Sequence, residues 1–387
     1  VIALDLLRAL GPNELVLFLW FLIVLDVPRY LIAALVLRLV PPRAVVASNP
    51  HRVTGMVSCH NEERALPSCV ASMRANGIER VVVVNDGSTD RTHAVAEGLG
   101  VIVIDLPERV GKPNALNVAL PCCEGELVLV ADADTVFDAG SVAQAAARMR
   151  PDVGGMNFTL VPVNEGESLT TAFQGIEYAI ASANREFGAA FGILNNVSGA
   201  AGLFRRDALL QVGGWDCEVA EDAALSMKLR DAGWQLDCAR DAVARTVVPS
   251  TVVGLMLQRF RWDASIVTIW WRKWPPWRAG LASFDVLLFG MVMPLALPFY
   301  VLWLWSRIGA ETLVILGAVW IAMAVLDLTV IVLSGVPLRL LPYVPLYLVM
   351  QTLVMRPVRI VALLAELAFS ITHFDPYIPK SQRSRLT

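Results

Sequence analysis

Two stretches decide the fold: VVVVNDGSTD at residues 81–90 and ELVLVADAD at residues 126–134. Each runs through apolar, mostly β-branched residues and then breaks into acids, a glycine or small hydroxyls. An unbroken apolar run of this length, closed by turn residues, suits a strand buried on both faces, as in a parallel sheet. Residues 53–58 and 101–106 share the texture, so strands are predicted at 53–58, 80–85, 101–106 and 126–132 with helical stretches between them. The alternation gives an α/β class with a parallel sheet. Ligand chemistry in such sheets collects at the carboxyl ends of the strands, where both polar clusters fall.

Outward from this domain the chain turns apolar in both directions. Residues 15–40 form one apolar run interrupted by Asp26 and Arg29, long enough to cross a bilayer core at about 1.5 Å per residue. Its first part resembles the apolar region of a signal peptide. Apolar residues continue past Asp26, Pro28 and Arg29, however, and no small-residue cleavage site follows, so a transmembrane anchor is expected over 1–45. The chain starts at Val1, which suggests a trimmed or partial sequence. The α/β domain is expected over 46–250. Beyond it, Trp262, Trp270, Trp271, Trp274 and Trp277 lie among Arg259, Arg261, Arg272, Lys273 and Arg278, the mix of a membrane-interface belt, which marks 251–280 as an amphipathic interface segment. A membrane bundle is expected over 281–375, with spans at 283–305 and 311–333. The last apolar stretch, 341–371, carries Arg356 and Arg359 near its middle and reads equally as one tilted span or two interfacial helices. Residues 376–387 are left as a tail.

Composition agrees with this division. Hydrophobic residues make up 56% of the 387 and charged residues 17%, above the roughly 45–50% apolar content of soluble domains. A net charge of −3 gives no global basic field, which argues against nucleic acid as a partner. The six cysteines (Cys59, Cys69, Cys122, Cys123, Cys217, Cys238) form no C-x-x-C pair and read as reduced thiols packed in a core.

Four clusters carry chemistry. Asp86, at a strand end before Gly87, Ser88 and Thr89, can accept hydrogen bonds from a nucleobase or ribose while the glycine lets the backbone approach; an ordinary turn with Asp90 capping the next helix fits as well. Asp132 and Asp134, one residue apart, can converge on a hard divalent cation that also takes phosphate oxygens, and such a cation would neutralise a departing diphosphate. Glu221 and Asp222 open a helix predicted at 222–232, where Asp222 can serve as general base toward an acceptor hydroxyl, or as a first-turn acid favoured by the helix dipole. Gln258, Arg261 and Trp262 share a helix face by three- and four-residue spacing: the arginine can clasp phosphate and the indole can offer a flat face to a sugar ring, while lipid anchoring is the plainer alternative. A further helix over 169–191, with Gln174, Glu177 and Tyr178 among apolar residues, reads either as an amphipathic link to the bilayer or as an ordinary domain helix.

In this order and between apolar flanks, the four clusters resemble the membrane-bound family 2 glycosyltransferases, in particular the processive synthases of hyaluronan, cellulose, chitin oligosaccharides and poly-N-acetylglucosamine. The resemblance implies an α/β GT-A catalytic domain, Rossmann-like with a mixed sheet, between transmembrane α-helices. It also implies an inverting mechanism, Mg2+ or Mn2+, and a UDP-sugar donor. By matching motifs, Asp86 would contact uracil or ribose. Asp132 and Asp134 would face the ribose and the metal-bound diphosphate, and Lys112 aligns with the lysine of the nucleotide-binding loop. Asp222 would be the base with Glu221 in support, and Gln258, Arg261 and Trp262 would hold diphosphate and acceptor. His60, Asn61 and Glu62 match the loop over the nucleotide, with His60 read as structural, and 196–199 fall where the family shapes its acceptor pocket.

Ala220 departs from the threonine that many processive members place before the acid pair, which puts the acceptor pocket in question and leaves the acids intact. The implied activity is transfer to the end of a growing β-linked glycan at the cytosolic face of the plasma (inner) membrane, with export through the same chain left open. A non-processive lipid glycosyltransferase and a catalytically silent scaffold or export partner are the alternatives. Glycan or lipid acceptors, membrane lipids, a second copy of the chain and an export partner are the partners so implied, and N-acetylglucosamine is the sugar that the architectural resemblance favours.

Overall fold

The computed structural model describes residues 51–216 and 219–374, together with positions 31, 32, 35 and 39. The expected anchor at 1–45 falls outside the described residues apart from those four positions, and the tail at 376–387 falls wholly outside them. The four expected strands form as β1 (Val53–Cys59), β2 (Arg80–Asp86), β3 (Ile102–Leu106) and β4 (Leu127–Asp132), all parallel. The intervening helices are α1 (Leu66–Ala75), α2 (Thr92–Gly98) and α3 (Lys112–Ala119).

The valine run of β2 explains the layering, because successive side chains point to opposite faces. Val81 and Val83 enter one core with Leu66, Val70 and Met73 of α1, while Val82 and Val84 enter the other with Ala115 and Leu116 of α3. Burying each such side chain is worth roughly 1.5–3 kcal/mol, which is why the run is continuous and does not alternate.

The sheet does not stay parallel. After β5 (Val136–Phe137) and α4 (Ser141–Ala146), the chain adds β6 (Val153–Pro162), α5 (Leu169–Ala190), β7 (Ala201–Arg205), α6 (Arg206–Gln211), α7 (Glu221–Asp231) and β8 (Gln235–Thr246). The strand order is β3-β2-β1-β4-β7-β6-β8-β5, with β7 antiparallel to both β4 and β6. The wholly parallel sheet inferred from the apolar runs is therefore corrected to a mixed one, in keeping with the GT-A expectation. Between β1 and β4 the chain order reverses, opening the crevice at the carboxyl ends that sheets of this kind use for ligands.

Helix α5 starts in a reciprocal cap: Ser168 Oγ accepts from the Thr171 amide at 3.2 Å, and Thr171 Oγ1 accepts from the Ser168 amide at 3.0 Å. Its Ala172, Phe173 and Ile176 pack with Leu340, Val344 and Tyr347 of the apolar C-terminal region, while other residues cover β6 and β8. It is both a domain helix and a link to the bundle.

Helix α8 (Val252–Ile266) is capped by Thr251 and runs on through a π-helical turn, Val267–Lys273. Then come α9 (Pro276–Leu287), α10 (Met293–Ile308), α11 (Thr312–Leu333), α12 (Val344–Met350) and α13 (Arg356–Phe369). Two stretches, Ser283–Leu333 and Leu338–Phe369, are long and apolar enough to cross a membrane. The first is 51 residues, roughly 75 Å of helix, and it turns back at Gly309, whose φ of 57° suits glycine. The second is helical without a break from Val344 to Phe369, one continuous helix and not two. Of the five tryptophans expected in an interface belt, Trp270 and Trp274 are buried against Ala223, Ala224 and Met227 of α7, while Trp262, Trp271 and Trp277 are exposed. The two buried rings are packing residues, which corrects part of the belt.

Candidate active site

The site begins at Asp86, the last residue of β2 and almost wholly buried. Its two oxygens accept the amides of Val110 at 2.6 Å and Gly111 at 2.9 Å. The carboxylate thus fixes the loop that leads into α3. Gly87 closes the turn with φ of 61°, and a Cβ there would lie 2.5 Å from the Arg109 nitrogen, so only glycine lets the two loops approach. His60 donates from Nδ1 to the Asp86 carbonyl at 2.8 Å, in keeping with the structural part expected of it. Asn61 Oδ1 accepts the Thr89 amide at 2.8 Å, which zips the loop after β1 to the loop after β2. Asp90 accepts the Thr92 amide at 2.9 Å and so helps begin α2, though Arg91 holds the N-cap position.

Lys112 opens α3, held there by the loop that Asp86 anchors. Its Nζ lies 2.5 Å from Asp132 Oδ1, 3.0 Å from the Gly199 carbonyl and 3.4 Å from Glu221 Oε1. Burial opposes the charge on this ammonium, but Asp132, Glu221 and Asp222 around it raise its pKa well above that of a free lysine. Glu221 is pushed up by burial and by its acidic neighbours Asp222 and Asp132 against the pull of Lys112.

Asp222 sits beside Glu221 in the first turn of α7. Its Oδ2 accepts the Gly199 amide at 3.0 Å and Asn196 Nδ2 at 3.4 Å, and its Oδ1 accepts the Ala223 amide at 2.8 Å. Ala220 before the pair is left-handed, φ 58° and ψ 54°, a conformation costly for a residue with a Cβ. It turns the chain sharply so that two successive acids face the crevice.

Asp134 follows β4, and its Oδ1 accepts Thr246 Oγ1 of β8 at 3.2 Å. Burial and the charge of Asp132 raise its pKa to about 6. Glu62 is pushed to about 7 by burial and then by Asp134, Asp132 and Asp90. The crevice therefore gathers more negative charge than Lys112 offsets. Among the described residues no three His, Cys, Asp or Glu side chains are grouped to hold a metal alone. Two hard carboxylates with surplus negative charge fit a divalent cation whose remaining ligands are phosphate oxygens and water.

The structure thus brings Lys112, Asp132, Glu221 and Asp222 together, with Asp134 beside Asp132 and Asp86 behind the loop that positions Lys112. Gln258, Arg261 and Trp262 lie on α8, which Arg259 ties to α5 through Glu177. The Tyr178 hydroxyl of α5, raised in pKa by burial, feels both Arg259 and Asp134. Sequence reading missed Thr246, which lies on a strand it did not detect, and it named Arg259 and Glu177 without the pairing that joins them across α8 and α5 at 2.8 Å. An acid at residue 177 within an apolar helix was the available signal.

The family model described as "Glycosyltransferase like family 2" matches residues 50–265, a span that includes every candidate residue. Poly-beta-1,6-N-acetyl-D-glucosamine synthase of Staphylococcus aureus (strain COL) is 30% identical over 219 residues, covering 54% of this chain and 53% of that protein. The chain thus spans about half the length of that relative. The synthase of the same name from Staphylococcus epidermidis (strain ATCC 35984) is 26% identical over 275 residues, 67% of this chain and 66% of that one. Among solved structures, the mannosyltransferase PcManGT from Pyrobaculum calidifontis, in complex with GDP-Man and Mn2+, superposes with a TM-score of 0.68 at 21% identity, covering 95% of this chain and 98% of that one. Strand order and this superposition give the fold class as GT-A. Within that class the chain belongs to glycosyltransferase-like family 2.

Proposed function

We propose that the protein transfers a sugar from a UDP-sugar to the end of a growing β-linked glycan, with inversion, at the cytosolic face of the plasma membrane. The observation that carries this reading is the Lys112 ammonium, which gathers acids from β4 and α7 into one site at the sheet's switch point. The names of the relatives support N-acetylglucosamine as the sugar. The apolar stretches support a membrane-borne acceptor end, with 1–45 as anchor, 46–250 as catalytic domain, 251–280 as interface segment and 281–375 as bundle.

In this mechanism Asp86 and the loop it holds receive the nucleoside, and Lys112 and Asp132 hold the donor beside them. Asp134 would hold Mg2+ or Mn2+, which when bound would supply positive charge for the departing diphosphate. Asp222, oriented by the Gly199 amide and Asn196, takes the proton of the acceptor hydroxyl as that oxygen attacks the anomeric carbon. Glu221 stays paired with Lys112 and keeps the two halves of the site in register. Gln258 and Arg261 secure the diphosphate, and Trp262 stacks on the terminal acceptor sugar. A second copy or an export partner would complete passage across the membrane where one bundle does not suffice.

The test is UDP release by the purified, lipid-reconstituted protein over a panel of UDP-sugars with manganese or magnesium, with product sizes read by mass spectrometry. One active donor giving a ladder of lengths is expected. One-sugar lipid adducts would replace the reading by a non-processive one, and no release with any donor would reduce the chain to a silent scaffold.

A further inference from the structure

Arg259 is the most heavily committed side chain on α8. It is 7% exposed, and its guanidinium uses three sides at once. Nε and Nη2 donate to the two carboxylate oxygens of Glu177 on α5, at 3.2 and 2.8 Å. Nη1 donates to Gln258 Oε1 at 3.0 Å, and Cζ lies 4.2 Å from the centre of the Trp262 ring. We propose that Arg259, anchored by Glu177 and braced on Gln258, is a positioning residue that sets the ring of Trp262 for the acceptor end of the reaction. The proposal rests on the reading of Trp262 given above and adds how it is held.

Two consequences follow from the chemistry of the group. Arginine only donates, so Gln258 turns its oxygen to Arg259, and its N–H groups have the right polarity for phosphate or hydroxyl oxygens. The cation takes a face of the indole, and Trp262 still exposes 43% of its surface, enough to receive a sugar ring on the side away from Arg259. Because α5 packs on β6 and β8, the Glu177 fork ties this pair of side chains to the catalytic sheet as well as to their own helix. Lysine cannot reproduce the arrangement, since a point charge has neither fork nor planar face.

The experiment is a double-mutant cycle on the full, lipid-reconstituted chain, with UDP-N-acetylglucosamine, manganese and a short β-linked N-acetylglucosamine oligomer as probes. Arg259→Lys is expected to lower acceptor kcat/KM about tenfold, with acceptor KM rising at least threefold more than donor KM. Trp262→Ala should lower it further, and adding Arg259→Lys to Trp262→Ala should cost less than about twofold more, because the two share one effect. Glu177→Gln, which keeps the side-chain shape, should move the same quantities in the same direction and serves where Arg259→Lys does not fold. Effects that multiply in the double variant, or donor and acceptor KM that rise together, overturn the proposal. An unchanged acceptor KM in Trp262→Ala alone removes the reading of Trp262 on which it rests, which the cycle distinguishes from a failure of Arg259.

Discussion

Gly199 measures how tightly the site is drawn. A Cβ there would come 3.1 Å from Lys112 Nζ, 3.4 Å from the Asp222 Cβ and 3.4 Å from Glu221 Oε1. Gly199→Ala is therefore expected to leave the thermal midpoint within a few degrees while reducing transfer by about tenfold or more, because displacements of an ångström in reacting groups carry costs of that order; unchanged transfer in a steady-state assay would contradict the arrangement. Asp134→Asn removes a charge that burial and Asp132 already disfavour. Stability without metal should hold or rise, and manganese-dependent UDP affinity should fall about tenfold or more in calorimetric titration. At this scale the sequence was informative where an acid ends a strand or begins a helix, as Asp86, Asp132, Asp134, Glu221 and Asp222 do. The grip on Asp222 by Asn196 and Gly199, and that on Asp134 by Thr246, were not legible as contacts, because each depends on the path of β7 or β8.

Those two strands show why part of the sheet escaped notice. β2 and β4 carry continuous apolar runs because both their faces are covered. β7 is five residues that begin Ala-Gly, and β8 carries Asp237, Arg240, Asp241 and Arg245 among its small apolar residues, so neither presents a run or a clean alternation. Helix α7 was legible, and its attachments were not. Asp216 accepts Lys228 Nζ at 2.8 Å and Lys273 Nζ at 2.9 Å, and Asp231 accepts Trp274 Nε1 at 2.9 Å and Arg278 Nη2 at 2.7 Å, so the helix that carries the acid pair is clasped at its last turn to the interface segment. Burial opposes ionisation of Asp216, but its hydrogen bonds to Lys228 and Lys273 bring its pKa below 3.8. The folded value lies below the unfolded one, so the contribution is fully present above pH 3.8 and is lost as pH falls through the folded value. Asp216→Asn is expected to cost about 1 kcal/mol at pH 7 after screening is allowed for. The difference in thermal midpoint should narrow in melts taken progressively below pH 3.8; a difference that stays constant well below pH 3.8 would contradict the clasp.

Across the whole molecule, ion pairs join the apolar helices to the catalytic domain and its interface segment. Arg359 meets Asp263 at 2.8 Å, Arg339 meets Glu165 at 2.9 Å, and Arg272 meets the wholly buried Glu366 at 2.9 Å. Arg359, one of the two arginines in the middle of the last apolar stretch, thus has a partner on α8, which explains why charge and hydropathy together read ambiguously there. Glu366→Ala would strip partners from Arg272, Thr268 and Thr372, and is expected to cost about 3 kcal/mol, read as a lower thermal midpoint in detergent. The division into an α/β domain and an apolar bundle was legible from composition alone, whereas the docking between them rests on pairs about 95 to 175 residues apart in sequence. The proposed mechanism has Asp222 remove the acceptor proton in a site assembled by Lys112. Its most direct test is single-turnover transfer from UDP-sugar by Asp222→Asn beside a titration of its manganese-dependent UDP binding. Transfer reduced by about a hundredfold or more with UDP affinity little changed is the predicted result, and normal turnover in that variant would contradict it.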